Sequence, residues 1–204
     1  MTGGDRRIVL VTDPLPEGGL EVLASEPSIE LRIRNGLDGA GLLAEAAEAH
    51  GVIVRSATRI TADVLRAAPR LRVVGRAGTG VDNIDVVEAT RRGVVVMNTP
   101  GGNSVAAGEH TFALLLALFR DLPAAAGELR EGVWERKGHV GRQLHGKTLG
   151  LVGFGRIGRE VAARALAFGM TVVVADPVVS PSLAGEFDCR LVERDELLKR
   201  ADII

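Results

Sequence analysis

Leu149-Gly-Leu-Val-Gly-Phe-Gly-Arg-Ile-Gly158 decides the reading of this 204-residue chain. It reads as an apolar strand that runs into a Gly-rich turn and opens a helix. Gly153, Gly155 and Gly158 keep the G-x-G-x-x-G spacing, and Asp176 follows roughly 20 residues later, at the end of the apolar run Thr171–Ala175. Each glycine has a mechanical reason. Gly153 makes the tight turn, Gly155 lets a pyrophosphate approach the backbone, and Gly158 lets the helix sit close to its strand. The helix start presents unpaired N–H groups and a positive dipole end to phosphate. Asp176 is suited to accept hydrogen bonds from an adenosine ribose, and its charge repels a 2′-phosphate, which favours NAD over NADP. A second reading of Asp176 stands beside this one: a strand-end turn residue before Pro177.

Working outward, strand-like and helix-like segments alternate. Strands are expected at Ile8–Thr12, Ile29–Ile33, Val52–Val54, Leu71–Val74 and Val94–Val96. Helices are expected near Glu17–Ala24, Ala40–Ala49, Thr61–Ala67 (with Thr61 as N-cap) and Ile84–Arg92. Such alternation predicts βαβ units, a parallel sheet and the α/β class. The turn cluster Asn98-Thr-Pro-Gly-Gly-Asn-Ser breaks the pattern. A long apolar helix, Val105–Arg120, follows, then a polar helix near Pro123–Glu131 and a loop, Gly132–Leu144, with Trp134, Arg136, Lys137 and His139. The boundary is placed near Pro100, giving domains 1–99 and 100–204. A complete dinucleotide fold has about six strands, and Ala201-Asp-Ile-Ile204 reads as the start of a third or fourth. The expectation is therefore that only the first half of a nucleotide sheet is present.

Composition narrows the class. Apolar residues make up 46% and charged residues 25%, with a net charge of −1 and both signs interspersed. That excludes a basic nucleic-acid footprint. No apolar run approaches the roughly 18 residues that would span a bilayer, and Met1-Thr-Gly-Gly-Asp-Arg-Arg lacks the apolar core of a secretory leader. The cytoplasm is the expected compartment. Cys189, the one cysteine, reads as a small buried thiol rather than a metal ligand. His50, His110, His139 and His145 show no ligand spacing, so no metal is expected. His110 reads as a helix-face contact, and none of the four is assigned as a catalytic base.

A second glycine loop, Gly75-Arg-Ala-Gly-Thr-Gly-Val-Asp-Asn83, follows the fourth expected strand. Asn83 occupies the place of a third glycine, so this is not a second fingerprint. Its convergent N–H groups suit a carboxylate or phosphate, and Arg55-Ser56 sits at the equivalent end of the third strand with a guanidinium fork for a carboxylate. Ordinary turns with an exposed, salt-bridging arginine are the competing description. Trp134 is equally open between packing and function.

Three segments then carry a resemblance: Val74–Asp85, Gly93–Ser104 and Gly146–Glu160. The chain resembles the NAD-dependent D-2-hydroxyacid dehydrogenases from about Ile8 to Ile204, and Arg76-Ala-Gly-Thr-Gly-Val-Asp-Asn83 points more narrowly to their phosphoglycerate branch. The resemblance implies a flavodoxin-like substrate domain plus part of a Rossmann doubly wound sheet. It implies oxidation of 3-phospho-D-glycerate at C2, with hydride passing to NAD, in serine synthesis. Thr79, Arg156, Ile157 and Asp176 would contact NAD, while Arg55, Ser56, Gly80 and Asn103 would line the substrate side. The Trp134–Lys137 loop would supply cations to the phosphate across an interface of a homodimer or homotetramer. Family members also use an arginine for the substrate carboxylate and a His–Glu acid/base pair, in motifs that fall beyond Ile204. The 204 residues alone are accordingly expected to turn over no phosphoglycerate. A glyoxylate or hydroxypyruvate reductase and a non-catalytic NAD(H)-sensing corepressor remain alternative functions.

Overall fold

The computed structural model describes residues 6–204, so the leader reading of Met1–Arg7 falls mostly outside the described residues. The chain divides into two compact units, one ending at Gly102 and one running Asn103–Ile204. In the first, β1 (Arg7–Val11), β2 (Ile29–Ile33), β3 (Gly51–Val54), β4 (Val73–Arg76) and β5 (Val95–Asn98) form an all-parallel sheet in the order β2-β1-β3-β4-β5. That is the flavodoxin-like order, which reverses between β1 and β3. The connecting helices are α1 (Glu21–Ala24), α2 (Gly39–Glu48), α3 (Ala62–Ala67) and α4 (Val86–Arg91). Their starts are written into the sequence. Asp38, Thr61 and Asp85 each accept a backbone N–H from the first turn, which satisfies a donor the helix itself cannot pair. Leu10, Val52, Val54, Ile60, Leu65 and Val74 build the core.

Three boundaries move for physical reasons. β4 runs through Gly75 and Arg76, not Leu71–Val74, because both flanking strands extend the ladder there: Gly75 pairs with Ile53 and Met97, and Arg76 with Val54 and Asn98. Gly18-Gly19 splits the first expected helix into a 3-10 turn, Glu17–Gly19, and the short α1, as the high helical cost of glycine dictates. The fourth helix begins only after its Asp85 cap, leaving Ile84 free to form a parallel bridge with Ile60.

The second unit opens with α5 (Ser104–Phe119) and α6 (Leu122–Arg130). It continues through β6 (Thr148–Val152), α7 (Arg156–Ala167), β7 (Thr171–Ala175), α8 (Pro181–Gly185), β8 (Arg190–Leu191) and α9 (Arg194–Arg200). The strands are parallel in the order β6-β7-β8. Ala201–Ile204 forms no strand, only a parallel bridge from Ile203 to Leu149. Residues Val172–Ala175 of β7 are all buried, as expected of a parallel strand covered on both faces. Phe112, Phe154, Val161, Ala165 and Val174 share one core. Among the described residues no helix is long and apolar enough to cross a membrane.

Gly150 lets α9 lie directly on β6. A Cβ there would stand 2.6 Å from Leu197 Cδ2 and 2.9 Å from Ala201 Cβ, and Leu197 is fully buried. Gly150→Ala is expected to destabilise the second unit by about 1–3 kcal/mol through overpacking, read as a lower denaturant midpoint at unchanged slope.

Candidate functional site

In the second unit, the Gly-rich turn shows a separate physical reason for each glycine. Gly153 adopts φ +98°, which side-chain-bearing residues avoid. At Gly158 a Cβ would meet the Gly153 carbonyl oxygen at 2.6 Å, so the helix and its own turn touch backbone to backbone. At Gly155, the N-cap of α7, a Cβ would meet nothing within 4 Å. Space left open here, beside a helix start that no side chain caps, is what a phosphate-bearing ligand needs. Arg156 and Ile157 are exposed in that first turn. The residue between the glycines, Phe154, anchors the turn in the core. It is fully buried, packs edge-on against Phe187 with centroids 5.5 Å apart, and its carbonyl accepts from Arg159 Nε at 3.2 Å.

Asp176 reconciles its two readings. One carboxylate oxygen accepts from Phe154 N at 2.7 Å; the other accepts from Val178 N at 2.9 Å and Val179 N at 3.2 Å. It is a strand-end turn residue that also holds the Gly-rich turn. The Phe154 bond, then the Val178 bond, keep its carboxyl below the ordinary carboxylate value. The oxygen facing Phe154 keeps one lone pair for a further donor. A groove of about 1000 Å³ lies alongside, and Asp176, Glu193, Asp195 and Glu196 line it against a single cation, Arg194. Such a wall disfavours an added phosphate.

In the first unit, the ends of β1, β3, β4 and β5 gather the candidate substrate loops. Arg55 and Ser56 are exposed after β3, with Arg55 Nη1 donating to the Pro14 carbonyl at 3.3 Å. Asn98 Nδ2 donates to the Thr79 carbonyl at 2.7 Å, and Thr99 Oγ1 to that of Gly78 at 3.1 Å, so β5 pins the second glycine loop. Gly80 lies in this loop beside Arg76 and Asp82. Asn103 begins the second unit as the N-cap of α5 without a side-chain capping bond. Arg55, Ser56, Thr79 and Gly80 thus gather in the first unit, and Gly153, Gly155, Arg156, Ile157, Gly158 and Asp176 in the second.

Three residues to which the sequence assigns no site role complete the first cluster. Arg76 is only 10% exposed; it pairs with Asp82 and reaches Ser56 Oγ at 3.4 Å. Asp13, buried, accepts from Arg55 N at 2.6 Å, Thr58 Oγ1 at 2.6 Å and Thr58 N at 3.2 Å. Burial pushes its carboxyl up, but the Thr58 hydroxyl and the amides of Arg55, Thr58 and Ala57 outweigh this and leave it below the ordinary value. Asn83 Nδ2 donates to the carbonyls of Arg55 at 2.7 Å and Thr58 at 2.6 Å. A strand-end Asp and an Asn in a glycine loop carry no distinguishing local pattern; their partners lie more than 20 residues away.

The Gly132–Leu144 loop is held by a histidine with two acidic neighbours. His139 Nδ1 lies 2.6 Å from Asp121 Oδ2 and Nε2 lies 2.9 Å from Glu128 Oε2. Glu128, then Asp121, raise its pKa above the usual histidine value. Arg136 and Lys137 are exposed, and Trp134 is 75% exposed, so it is not packed into the core of this chain. His110 is exposed rather than seated against a helix face. His50 Nδ1 accepts from Ile8 N at 3.2 Å, and His145 packs on Gly169. Cys189 is a buried thiol whose pKa burial pushes up to about 11, so it stays protonated at neutral pH.

Residues 9–182 match the D-isomer specific 2-hydroxyacid dehydrogenase family, catalytic domain. The chain belongs to that family. It is 46% identical over all 204 residues to D-3-phosphoglycerate dehydrogenase of Rattus norvegicus, of which it spans 38%. A crystal structure from Thermus thermophilus superposes with a TM-score of 0.86 at 40% identity, over 96% of this chain and 62% of that one. D-Lactate dehydrogenase from Aquifex aeolicus, solved with NAD and lactic acid, gives a TM-score of 0.82 at 29% identity, over 96% and 59%.

Three outcomes follow from the site geometry. Gly158→Ala is expected to lower the thermal midpoint by several degrees, since about 1 kcal/mol of overpacking corresponds to roughly 4–8 °C in a unit of this size. Gly155→Ala leaves the midpoint unchanged and weakens NAD binding by about tenfold or more, a loss of roughly 1.4 kcal/mol read by calorimetry. The His139 clamp is expected to loosen as pH rises. Its folded pKa exceeds the unfolded one, so its contribution is complete below the ordinary histidine value and is lost as pH climbs through the raised value. A neutral imidazole carries one N–H and can satisfy only one of the two carboxylates. Fluorescence anisotropy of Trp134, the sole tryptophan, should fall over that interval, and His139→Gln should abolish the transition.

Proposed function

We propose that this chain forms the substrate loops and the opening nucleotide half of a cytoplasmic D-3-phosphoglycerate dehydrogenase. The reaction is NAD-dependent oxidation of 3-phospho-D-glycerate to 3-phosphohydroxypyruvate, in L-serine synthesis. The observation that carries this reading is the similarity to the rat enzyme along all 204 residues, since it includes both the Gly-rich turn and the Arg76–Asn83 loop.

In this reading the second unit holds NAD. Its pyrophosphate lies over Gly153, Gly155 and Gly158, against the first-turn amides of Arg156 and Ile157. Asp176 receives the adenosine ribose on its remaining lone pair, and the acidic groove beside it selects NAD over NADP. Thr79, in the first unit, is assigned to the cofactor by the family resemblance alone. When bound, NAD supplies the hydride acceptor. Arg55, Ser56 and Gly80 line the phosphorylated 2-hydroxy acid within the first unit, with Asn103 assigned to the substrate side by the resemblance, and Arg55 offers its guanidinium fork to an anionic group. Arg136 and Lys137 favour a phosphorylated substrate over a plain hydroxy acid. Exposed Leu118, Leu122, Leu129, Trp134 and Val140 on α5, α6 and the following loop support association into a homodimer or homotetramer.

The test compares substrates with the full-length gene product. NADH formation from 3-phospho-D-glycerate should exceed that from D-lactate and D-glycerate by at least about a hundredfold in kcat/KM, because a site built for a charged group is left unpaired by its absence. Asp176→Ala should weaken NAD binding by about tenfold or more. Equal turnover of all three acids would point to another D-2-hydroxyacid dehydrogenase. NAD binding without turnover would point to a cofactor-sensing regulator.

A further inference from the structure

The Arg55–Thr58 loop is gripped from two sides by groups that the proposed reaction leaves without a task. On one side lies Asp13, 3% exposed at the end of β1, whose two oxygens take up Arg55 N, Thr58 N and the Thr58 hydroxyl. The next residue, Pro14, accepts from the Arg55 guanidinium itself. On the other side lies Asn83, 8% exposed, whose amide nitrogen donates to both Arg55 O and Thr58 O, each within 2.7 Å. Its amide oxygen is buried without a hydrogen-bond partner, so the side chain is committed to the loop through its nitrogen alone. Backbone donors are therefore held by a carboxylate and backbone acceptors by an amide. Every one of these bonds joins chain segments 25 or more residues apart. A buried carboxylate carries a desolvation penalty. Here it is offset by three donors that could equally have faced water, an expensive way to shape an ordinary surface turn.

We propose that Asp13 and Asn83 are positioning residues that fix the Arg55–Ser56 tip and thereby set the affinity for the anionic 2-hydroxy acid. This rests on the reading that Arg55 and Ser56 face that substrate. Neither residue needs to touch it. Their contribution is to hold Arg55 N, Arg55 O and, through Pro14, the guanidinium in one arrangement before the ligand arrives, so that binding does not have to order the loop. The same geometry predicts which replacements are tolerated. Asp13→Asn keeps an oxygen for Arg55 N and Thr58 N, and its amide nitrogen can donate to Thr58 Oγ1, since a hydroxyl both donates and accepts. Asn83→Asp retains the shape but sets a carboxylate against two carbonyl oxygens.

The experiment measures steady-state kinetics of the full-length gene product with 3-phospho-D-glycerate and NAD. Asp13→Ala and Asn83→Asp are expected to raise KM for 3-phospho-D-glycerate by about tenfold or more, with kcat and KM for NAD held within about threefold. Asp13→Asn should restore KM to within about threefold of the parent. Thr58→Val, which removes one hydroxyl and leaves the chain shape intact, covers the case in which Asp13→Ala fails to fold; it should raise the same KM by about threefold or more. Unchanged KM in all four variants, or loss of kcat and of both KM values in parallel with the thermal midpoint, would overturn the positioning role. Failure of the parent enzyme to oxidise 3-phospho-D-glycerate would overturn the underlying function as well, which separates the two failures.

Discussion

A carboxylate just past the end of one parallel strand, taking N–H groups from the loop that leaves its neighbour, recurs in both units and holds both candidate sites. In the first, Asp13 follows β1 and binds the loop after β3. In the second, Asp176 follows β7 and binds the turn after β6. The constraint comes from the architecture. Parallel strands send their outgoing loops to one edge, where the backbone donors leave the ladder together and must find acceptors or water. A short acidic side chain on the adjacent strand end meets that need at 2.6–2.7 Å. Charge-assisted bonds of this kind are the strong ones. Both carboxyl groups are accordingly held below the ordinary value, so what they contribute is present at neutral pH and is lost only as pH falls through the depressed values.

The two clamps differ in what they leave free. Around Asp13 the bonds close on themselves: carboxylate to amides on one side, Asn83 amide to carbonyls on the other, while Arg55, Ser56 and Ala57 at the loop tip are exposed. Around Asp176 the carboxylate stays at the rim of an open groove with acceptor capacity to spare. Burial explains the contrast. Asp13 lies within the sheet's polar edge and can serve only protein groups, whereas Asp176 can hold the Gly-rich turn and a ligand together.

Which parts of this were legible in the sequence follows from the range of the interactions. The Gly153–Gly158 turn is local: its positive φ, open N-cap and backbone contact all fall within six residues, so spacing alone discloses them. The α/β class and the helix start at Thr61 follow from local pattern too, whereas the Asp85 cap displaces the start expected at Ile84. Gly75 and Arg76 were read as loop because glycine breaks strands in isolation; a ladder on both sides overrode that propensity. Asp13, Thr58 and Asn83 carry no local signal because their partners come from segments 25 or more residues away. His139 was passed over for the same reason, its carboxylates lying 18 and 11 residues back. Phe154, at the variable position between the glycines, is the buried peg that seats the turn.

A loop that recognises an anion faces two opposed demands. Its charged tip must stay solvated, since burying an unpaired guanidinium is costly, and its backbone must stay fixed, since ordering it on binding subtracts from affinity. The Arg55–Thr58 segment separates these demands by position. Asp13 and Asn83 are buried and hold the main chain from both faces, while the Arg55 side chain remains exposed with a single carbonyl contact, to Pro14, that a stronger anionic partner can displace. Arg76 adds a third hold through Ser56 Oγ, yet its Nε is buried without a hydrogen-bond partner. The rigidity therefore resides in buried groups, and the exposed charge in groups that water can reach. On the proposed reading, a mutation that shifts the first changes recognition without touching the second.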